Sequence, residues 1–193
     1  MRQPLEDGNL TIARAALSVN FRSRFMLAAA MNPCPCGFFG DTKRECHCSP
    51  VQIRRYVSKI SGPLLDRIDI HSEVPAVQYK ELRGNAEIES SACVRSRVIC
   101  AREIQLERYR SEKNIYANSL MPPKPIRKHC AITAEGEKIL ETAIQRLGLS
   151  ARAHDRILKV SRTIADLDGA PSLAPKHLSE AIQYRTLDRT YWA

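Results

Sequence analysis

Apolar and polar residues follow two different patterns along this chain, and the pattern of the first segment is typical of β-strands. The segment "NLTIARAALSVNF" mixes β-branched and apolar residues around Arg14, which predicts a hairpin. The unbroken apolar run from Phe25 to Ala30 ends before Pro33 and predicts a strand buried on both faces. Asn32 then follows the strand end, where α/β sheets bind ligands, although an Asn before Pro is also a common turn former.

Helical spacing takes over near residue 49. Ser49 and Pro50 predict a helix start, and the apolar positions that follow recur at helical intervals. The segment "LLDRIDIHSEV" predicts a brief helical turn that leads into a strand. Within it Arg67 lies between Asp66 and Asp69, which is also the pattern of a simple local ion pair.

The second half of the chain predicts mainly helices. Ser90 is the expected cap of a long basic helix that runs to about Arg110. The segment "NSLMPPKPIRK" then indicates a semi-rigid linker because it is rich in proline. Three helices are expected after it, of which the first stops at Gly148, the second stops at Gly169 and the third begins near Pro175.

The composition is that of an ordinary globular protein, with 44% apolar, 26% charged and 6% aromatic residues. No apolar run approaches the ~18 residues that span a bilayer, and the N-terminus lacks the apolar core of a signal peptide, so a cytoplasmic protein without membrane contact is expected. The net charge is +9, and residues 91–128 hold most of the excess. Such a stretch fits a nucleic-acid partner and a solvated helix face about equally well.

Four of the seven cysteines lie close together in "CPCGFFGDTKRECHC". In a reducing compartment a cluster of this kind points to a metal rather than to disulfides. The four thiolates suffice for one tetrahedral Zn²⁺ in a structural site, although each pair is spaced more tightly than usual and His47 could replace one cysteine. The alternative is four reduced thiols in a loop. The expected ligands are Cys34, Cys36, Cys46 and Cys48.

No phosphate-binding G-x-x-x-x-G-K-[ST] motif occurs in the sequence, and neither H-E-x-x-H nor G-x-S-x-G is present. A self-contained hydrolase therefore has little support. From the residues alone, the chain is interpreted as a zinc-stapled, basic binding module in two parts.

Several segments nevertheless resemble one family closely: "PLEDG", "TIARA", "FMLAAAMNPCPCG", "GPLLDRIDIH", "LGLSARAHDRILKVSRTIADL" and "HLSEAIQYR". They are similar to the magnesium-chelatase-like AAA+ ATPases of the YifB/ComM type, and the likeness runs nearly end to end. It covers only the family's C-terminal part, after Walker A and Walker B. The resemblance implies an α/β fold in which residues 1–121 form the end of an AAA+ core and residues 126–193 form a small all-helical lid.

The resemblance also implies roles for single residues. Asn32 looks like the sensor 1 residue that orients the attacking water, and Arg67 looks like the arginine finger that reaches a neighbouring subunit's nucleotide. Arg152 looks like sensor 2 on the lid, where a cation in the first turn of a helix is misplaced unless an anion such as phosphate compensates it. Arg14 is similar in position to a basic hairpin residue with which related motors touch DNA.

The implied activity is an ATP-driven motor that moves DNA branch points in recombination or natural transformation. ATP with Mg²⁺ would be the cofactor, DNA the partner and a homo-hexamer the assembly of the full-length protein. Without the phosphate loop, this chain is expected to be a fragment that does not hydrolyse ATP by itself. Two alternatives stay open: a free-standing zinc-stapled nucleic-acid-binding module, and the motor subunit of a magnesium chelatase.

Overall fold

A computed structural model of the protein describes residues 2–14, 17–75 and 89–185. Its fold is α/β with a helical C-terminal part, as the sequence predicts. Among the residues that it describes, the chain divides into two compact units, the first of which ends at Ile68 while the second begins at Asp69. Among the described residues, no helix combines the length and the apolar character needed to cross a membrane.

The first unit begins with helix α1 (Arg2–Asp7) and a β-hairpin. Strand β1 (Asn9–Arg14) pairs antiparallel with β2 (Leu17–Arg22), and the register sets Arg14 opposite Leu17. The predicted hairpin is therefore confirmed. Both strands are largely exposed, so the hairpin presents most of its side chains to solvent within the described part of the chain.

The strand expected at residues 25–30 is wrong. These residues have no regular secondary structure, and Met26 is 91% exposed. The described residues form one sheet, the two-stranded hairpin itself. A strand buried on both faces needs neighbours to pair with, and apolar content alone cannot supply them.

Two short helices complete the described part of the first unit. Helix α2 (Pro50–Val57) starts where predicted, because the Ser49 hydroxyl accepts from the backbone N–H of Gln52 while the Gln52 side chain accepts from that of Ser49. Helix α3 (Gly62–Leu65) is the predicted brief turn. The strand expected after it is wrong, since residues 69–75 are irregular.

The second unit is helical. Its central helix, α7 (Ala151–Leu167), packs against α4 (Ser91–Arg108), α5 (Pro123–His129), α8 (Pro175–Gln183) and a 3₁₀ turn (Asn118–Leu120). Ser90, Thr133 and Ser150 each cap a helix with a side-chain oxygen, and Gly148 ends one in the left-handed conformation. The elements are α4 (Ser91–Arg108), the 3₁₀ turn (Asn118–Leu120), α5 (Pro123–His129), α6 (Ala134–Leu147), the central α7 (Ala151–Leu167) and α8 (Pro175–Gln183).

One apolar core joins these helices. Gly136 in α6 allows a close approach to Leu178 in α8, because a Cβ atom on Gly136 would lie 2.8 Å from Leu178 Cδ1. Its buried members lie between residues 109 and 181: Tyr109, Met121, Ile126, Cys130, Leu140, Ile157, Leu158, Ala165, Leu173, Leu178 and Ala181.

The proline-rich linker expected after residue 117 is wrong. Pro123 is the first residue of α5, and Pro125 and Ile126 are buried in the core. The first turn of a helix has no intrahelical partners for its N–H groups, so prolines there lose no hydrogen bond and favour a helix start. The functional boundary expected between residues 121 and 126 stays a prediction, while the packing units divide at residues 68 and 69.

Candidate functional site

The four clustered cysteines lie together in the first unit. The Sγ atom of Cys34 is 3.2 Å from that of Cys36 and 3.7 Å from that of Cys46, and the Cys36 and Cys46 sulfurs are 3.6 Å apart. With Cys48, all four sulfurs lie within 4.8 Å of one another. A tetrahedral Zn²⁺ with Zn–S bonds of about 2.3 Å requires sulfurs about 3.8 Å apart. The cluster therefore has the donor set and size to hold a metal ion such as zinc.

Backbone turns shape the loop between the two cysteine pairs. The Asp41 carboxylate accepts from the backbone N–H groups of Lys43 at 2.7 Å and Arg44 at 3.2 Å. These bonds hold the pKa of the Asp41 carboxyl below its ordinary value. The Arg44 guanidinium lies 5.1 Å from the centre of the Phe38 ring. His47, the alternative ligand, is exposed and lies outside the cysteine group.

The thiols of the cluster differ in acidity. Burial raises the pKa of Cys34, but hydrogen bonds from the Cys36 thiol and neighbouring backbone amides outweigh it, and the pKa falls to about 6. For Cys46, a backbone hydrogen bond with Cys48 lowers the pKa, but desolvation and the hydrogen bonds to Cys36 and Cys34 raise it to about 12. The Cys34 thiol thus ionises more readily than the Cys46 thiol, which loses its proton when a cation shares the charge.

Asn32 lies beside this loop. Its side chain is exposed, and a Cβ atom on Gly37 would lie 3.8 Å from the Asn32 Nδ2 atom. Gly37 has a φ of +85° and donates its N–H to the Cys34 carbonyl at 3.1 Å. The Asn32 amide is therefore adjacent to the turn that presents two of the four sulfurs.

Arg67 follows α3 and is nine-tenths buried, with a side-chain exposure of 10%. Its Nη2 atom forms an ion pair with Glu6 in α1, and its Nη1 atom donates to the Pro63 carbonyl. Asp69, which the sequence placed beside Arg67, pairs instead with Arg156 in the second unit. Sequence reasoning missed Glu6, because a residue 61 positions away leaves no local signal.

The other two candidate residues are exposed. Arg14 is the last residue of β1. Arg152 is the second residue of α7, two positions after the Ser150 cap. Farther along α7, the Lys159 ammonium donates to the Ser119 carbonyl at 3.0 Å, and burial lowers its pKa.

Comparison with known proteins identifies matching families over both halves of the chain. A family model described as magnesium chelatase, subunit ChlI, matches residues 1–82. A second one, described as the C-terminal part of the same subunit, matches residues 88–185.

Individual relatives match along nearly the whole chain. The chain is 45% identical over 190 residues to the competence protein ComM of Haemophilus influenzae. It is 40% identical to YifB of Salmonella typhimurium and 39% identical to YifB of Escherichia coli, again over 190 residues. Each alignment covers 98% of this chain and 36% of the relative, so the chain spans about a third of the length of these proteins.

Proposed function

This chain belongs to the magnesium-chelatase-like family that includes ComM and YifB, and we propose that it forms part of an ATP-driven motor that moves DNA. The observation that carries the proposal is the 45% identity to a competence protein, since competence is the uptake of DNA. The net charge of +9 supports it, because a cationic surface attracts phosphate backbones.

Three residues serve ATP hydrolysis in this proposal. The Asn32 amide orients the attacking water, the Arg67 guanidinium compensates the negative charge that develops on the transferred phosphoryl group, and Arg152 helps to close the lid. ATP with Mg²⁺, when bound, supplies the phosphoryl group. The 193 residues contain no G-x-x-x-x-G-K-[ST] motif, so the phosphate-binding loop comes from outside them.

The cysteine cluster binds one Zn²⁺ in a structural role. All four positions are taken by sulfur, which leaves no open position for a water molecule. A metal there fixes the shape of a loop whose tip has little core of its own, as the exposure of residues 39–45 indicates. Because Asn32 lies beside Gly37 of this loop, the bound metal also restrains the Asn32 amide that we propose orients the water.

The assembly that we propose is a cytoplasmic homo-hexamer with DNA as its partner. A ring of identical subunits lets Arg67 of one subunit act on the nucleotide of the next. Arg14 contacts the DNA backbone from the hairpin, where its side chain is exposed.

A second candidate is a nucleic-acid-binding module that acts without ATP. The compact cysteine cluster and the positive charge favour it independently of any motor. A third is a motor subunit of a magnesium chelatase, which the descriptions of the two family models favour. DNA affinity that is indifferent to ATP supports the second candidate, and ATP turnover stimulated by a porphyrin-binding partner instead of DNA supports the third.

A chimera tests the proposal directly. Residues 1–193 replace the aligned third of Haemophilus influenzae ComM, and ATP turnover is measured with and without DNA. We expect turnover that DNA stimulates and that Asn32→Ala lowers by about a hundredfold, as for removal of one positioned polar group from a reacting centre. Asn20→Ala in β2 is the matched control and should leave turnover unchanged. A chimera that binds DNA but hydrolyses no ATP contradicts the proposal.

A further inference from the structure

The Arg67 side chain is nine-tenths buried, and one of its hydrogen-bond donors has no acceptor among the described residues. Two of its three nitrogens are engaged, Nη2 by the Glu6 carboxylate and Nη1 by the Pro63 carbonyl. The Nε atom is buried and has no acceptor among the described residues. Buried donors are nearly always paired, so an unpaired Nε–H beside a carboxylate calls for an explanation.

The geometry of the guanidinium group explains the unpaired Nε–H. Its Nε and one Nη form an edge that matches two oxygens of a carboxylate or a phosphate. On this edge Nη2 is engaged by Glu6 while Nε has no acceptor among the described residues, so the edge is only half used. A phosphate group that approached the same edge would satisfy Nε as well as Nη2, and it carries more negative charge than a carboxylate.

We infer that Glu6 is a positioning residue. It is the counter-ion of Arg67 in the resting protein, and it gives way when a phosphate group binds Arg67. The inference rests on the proposed role of Arg67 as an arginine finger. Glu6 keeps a charged side chain in place within its own subunit while no nucleotide phosphate is near. The desolvation of the buried Arg67 is then offset by an anion whether Arg67 is paired with Glu6 or with a phosphate group. The exchange of Glu6 for phosphate therefore leaves no buried cation unpaired.

Arginine-specific labelling of the 193-residue chain tests the resting contact. The chain is treated with phenylglyoxal, and modification of each arginine is followed by peptide mass spectrometry. In the wild-type chain Arg67 should react slowly. Glu6→Gln should speed its labelling about tenfold, because charge-assisted hydrogen bonds to a guanidinium are among the stronger ones. Glu6→Ala should do the same or more, and Glu6→Asp should restore part of the protection.

Arg156 provides the matched control, since it is also paired with a carboxylate and its side chain is 19% exposed. Asp69→Asn should speed the labelling of Arg156 and leave that of Arg67 unchanged. Glu6→Gln should have the reverse effect. Far-ultraviolet circular dichroism checks that each variant keeps its helical content.

Competition by inorganic pyrophosphate separates positioning from a merely structural ion pair. In the Glu6→Gln chain, pyrophosphate should slow the labelling of Arg67 several-fold, and sodium chloride at the same ionic strength should not. In the wild-type chain the same protection should need more pyrophosphate, because Glu6 competes. The inference is overturned if Glu6→Gln leaves the labelling of Arg67 unchanged, or if pyrophosphate protects both chains equally or neither. These results do not depend on ATP turnover, so the inference and the proposed function fail separately.

Discussion

Arg108 and Asp166 form a bidentate ion pair between α4 and α7, and the Asp166 side chain is completely buried. The Asp166 carboxylate also accepts from Asn118 Nδ2 at 2.8 Å and from Arg162 Nε at 3.1 Å. The hydrogen bond with Asp166 raises the pKa of Arg108. One carboxylate therefore connects two helices and the 3₁₀ turn of the second unit.

Replacing this carboxylate should destabilise the protein strongly. Asp166→Asn removes the negative charge and leaves the partly buried Arg108 and the buried Arg162 without it, which costs about 3–5 kcal/mol for a buried pair. Urea unfolding followed by circular dichroism measures the loss. The control is Glu107→Gln, since Glu107 pairs with Arg110 in a solvent-exposed contact and its loss should leave stability unchanged. Equal effects from the two variants would contradict the account.

Local signals predicted most of the helices. The residues that cap a helix lie next to it in sequence, and the Ser49–Gln52 box and the Ser150 cap form within one turn. The buried polar network was not predictable in the same way. Arg108 and Asp166 are 58 residues apart, and a charged pair in a helical sequence has the same appearance whether it is buried or solvated.

The wrong predictions failed for two different physical reasons. The apolar run at residues 25–30 has the composition of a strand, but a strand exists only when another strand supplies hydrogen-bond partners. The prolines at 122, 123 and 125 suit a linker and the first turn of a helix equally, and burial of Ile126 decided between them. Of the candidate site, the cysteine cluster was predictable because four cysteines crowd into one short segment, whereas Glu6 was not predictable.

The cysteine cluster should bind one Zn²⁺ or Co²⁺ per chain. Cys36→Ser should weaken binding by more than tenfold, because a hydroxyl is a far poorer ligand for these metals than a thiolate. The measurement is the visible and near-ultraviolet absorption of the Co²⁺ complex, with displacement by Zn²⁺. Cys93→Ser on the exposed face of α4 is the matched control and should bind normally. Full binding by the Cys36 variant would show that the cluster is not the site.

Metal affinity should fall as the pH is lowered. The pKa of Cys46 is about 12 and that of Cys48 is raised, so metal binding at neutral pH must expel protons from both. Each expelled proton changes the apparent affinity about tenfold per pH unit. The dependence should steepen below pH about 6, where Cys34 is protonated too. Competition with a chelator at pH 8, 7 and 6 measures it, and a flat profile would exclude thiolate ligands.

Arg14 should contribute to DNA binding, and the salt dependence of the affinity should measure its contribution. If Arg14 contacts a phosphate, Arg14→Gln should reduce the slope of log affinity against log salt concentration by about 1. Fluorescence anisotropy with a labelled oligonucleotide at several salt concentrations gives the slope. Arg146→Gln, an equal loss of charge on an exposed position of α6, serves as the control and should retain the wild-type slope.

The arginine finger is the central claim, and ATP turnover by the ComM chimera tests it most directly. Arg67→Ala should lower turnover by about a thousandfold or more, the usual contribution of such a residue, while nucleotide affinity changes little. Mixing the Arg67→Ala chimera with one that has an intact Arg67 but a disabled phosphate-binding loop should restore part of the turnover, since the residue acts across a subunit boundary. Turnover that is unchanged by Arg67→Ala would contradict the account.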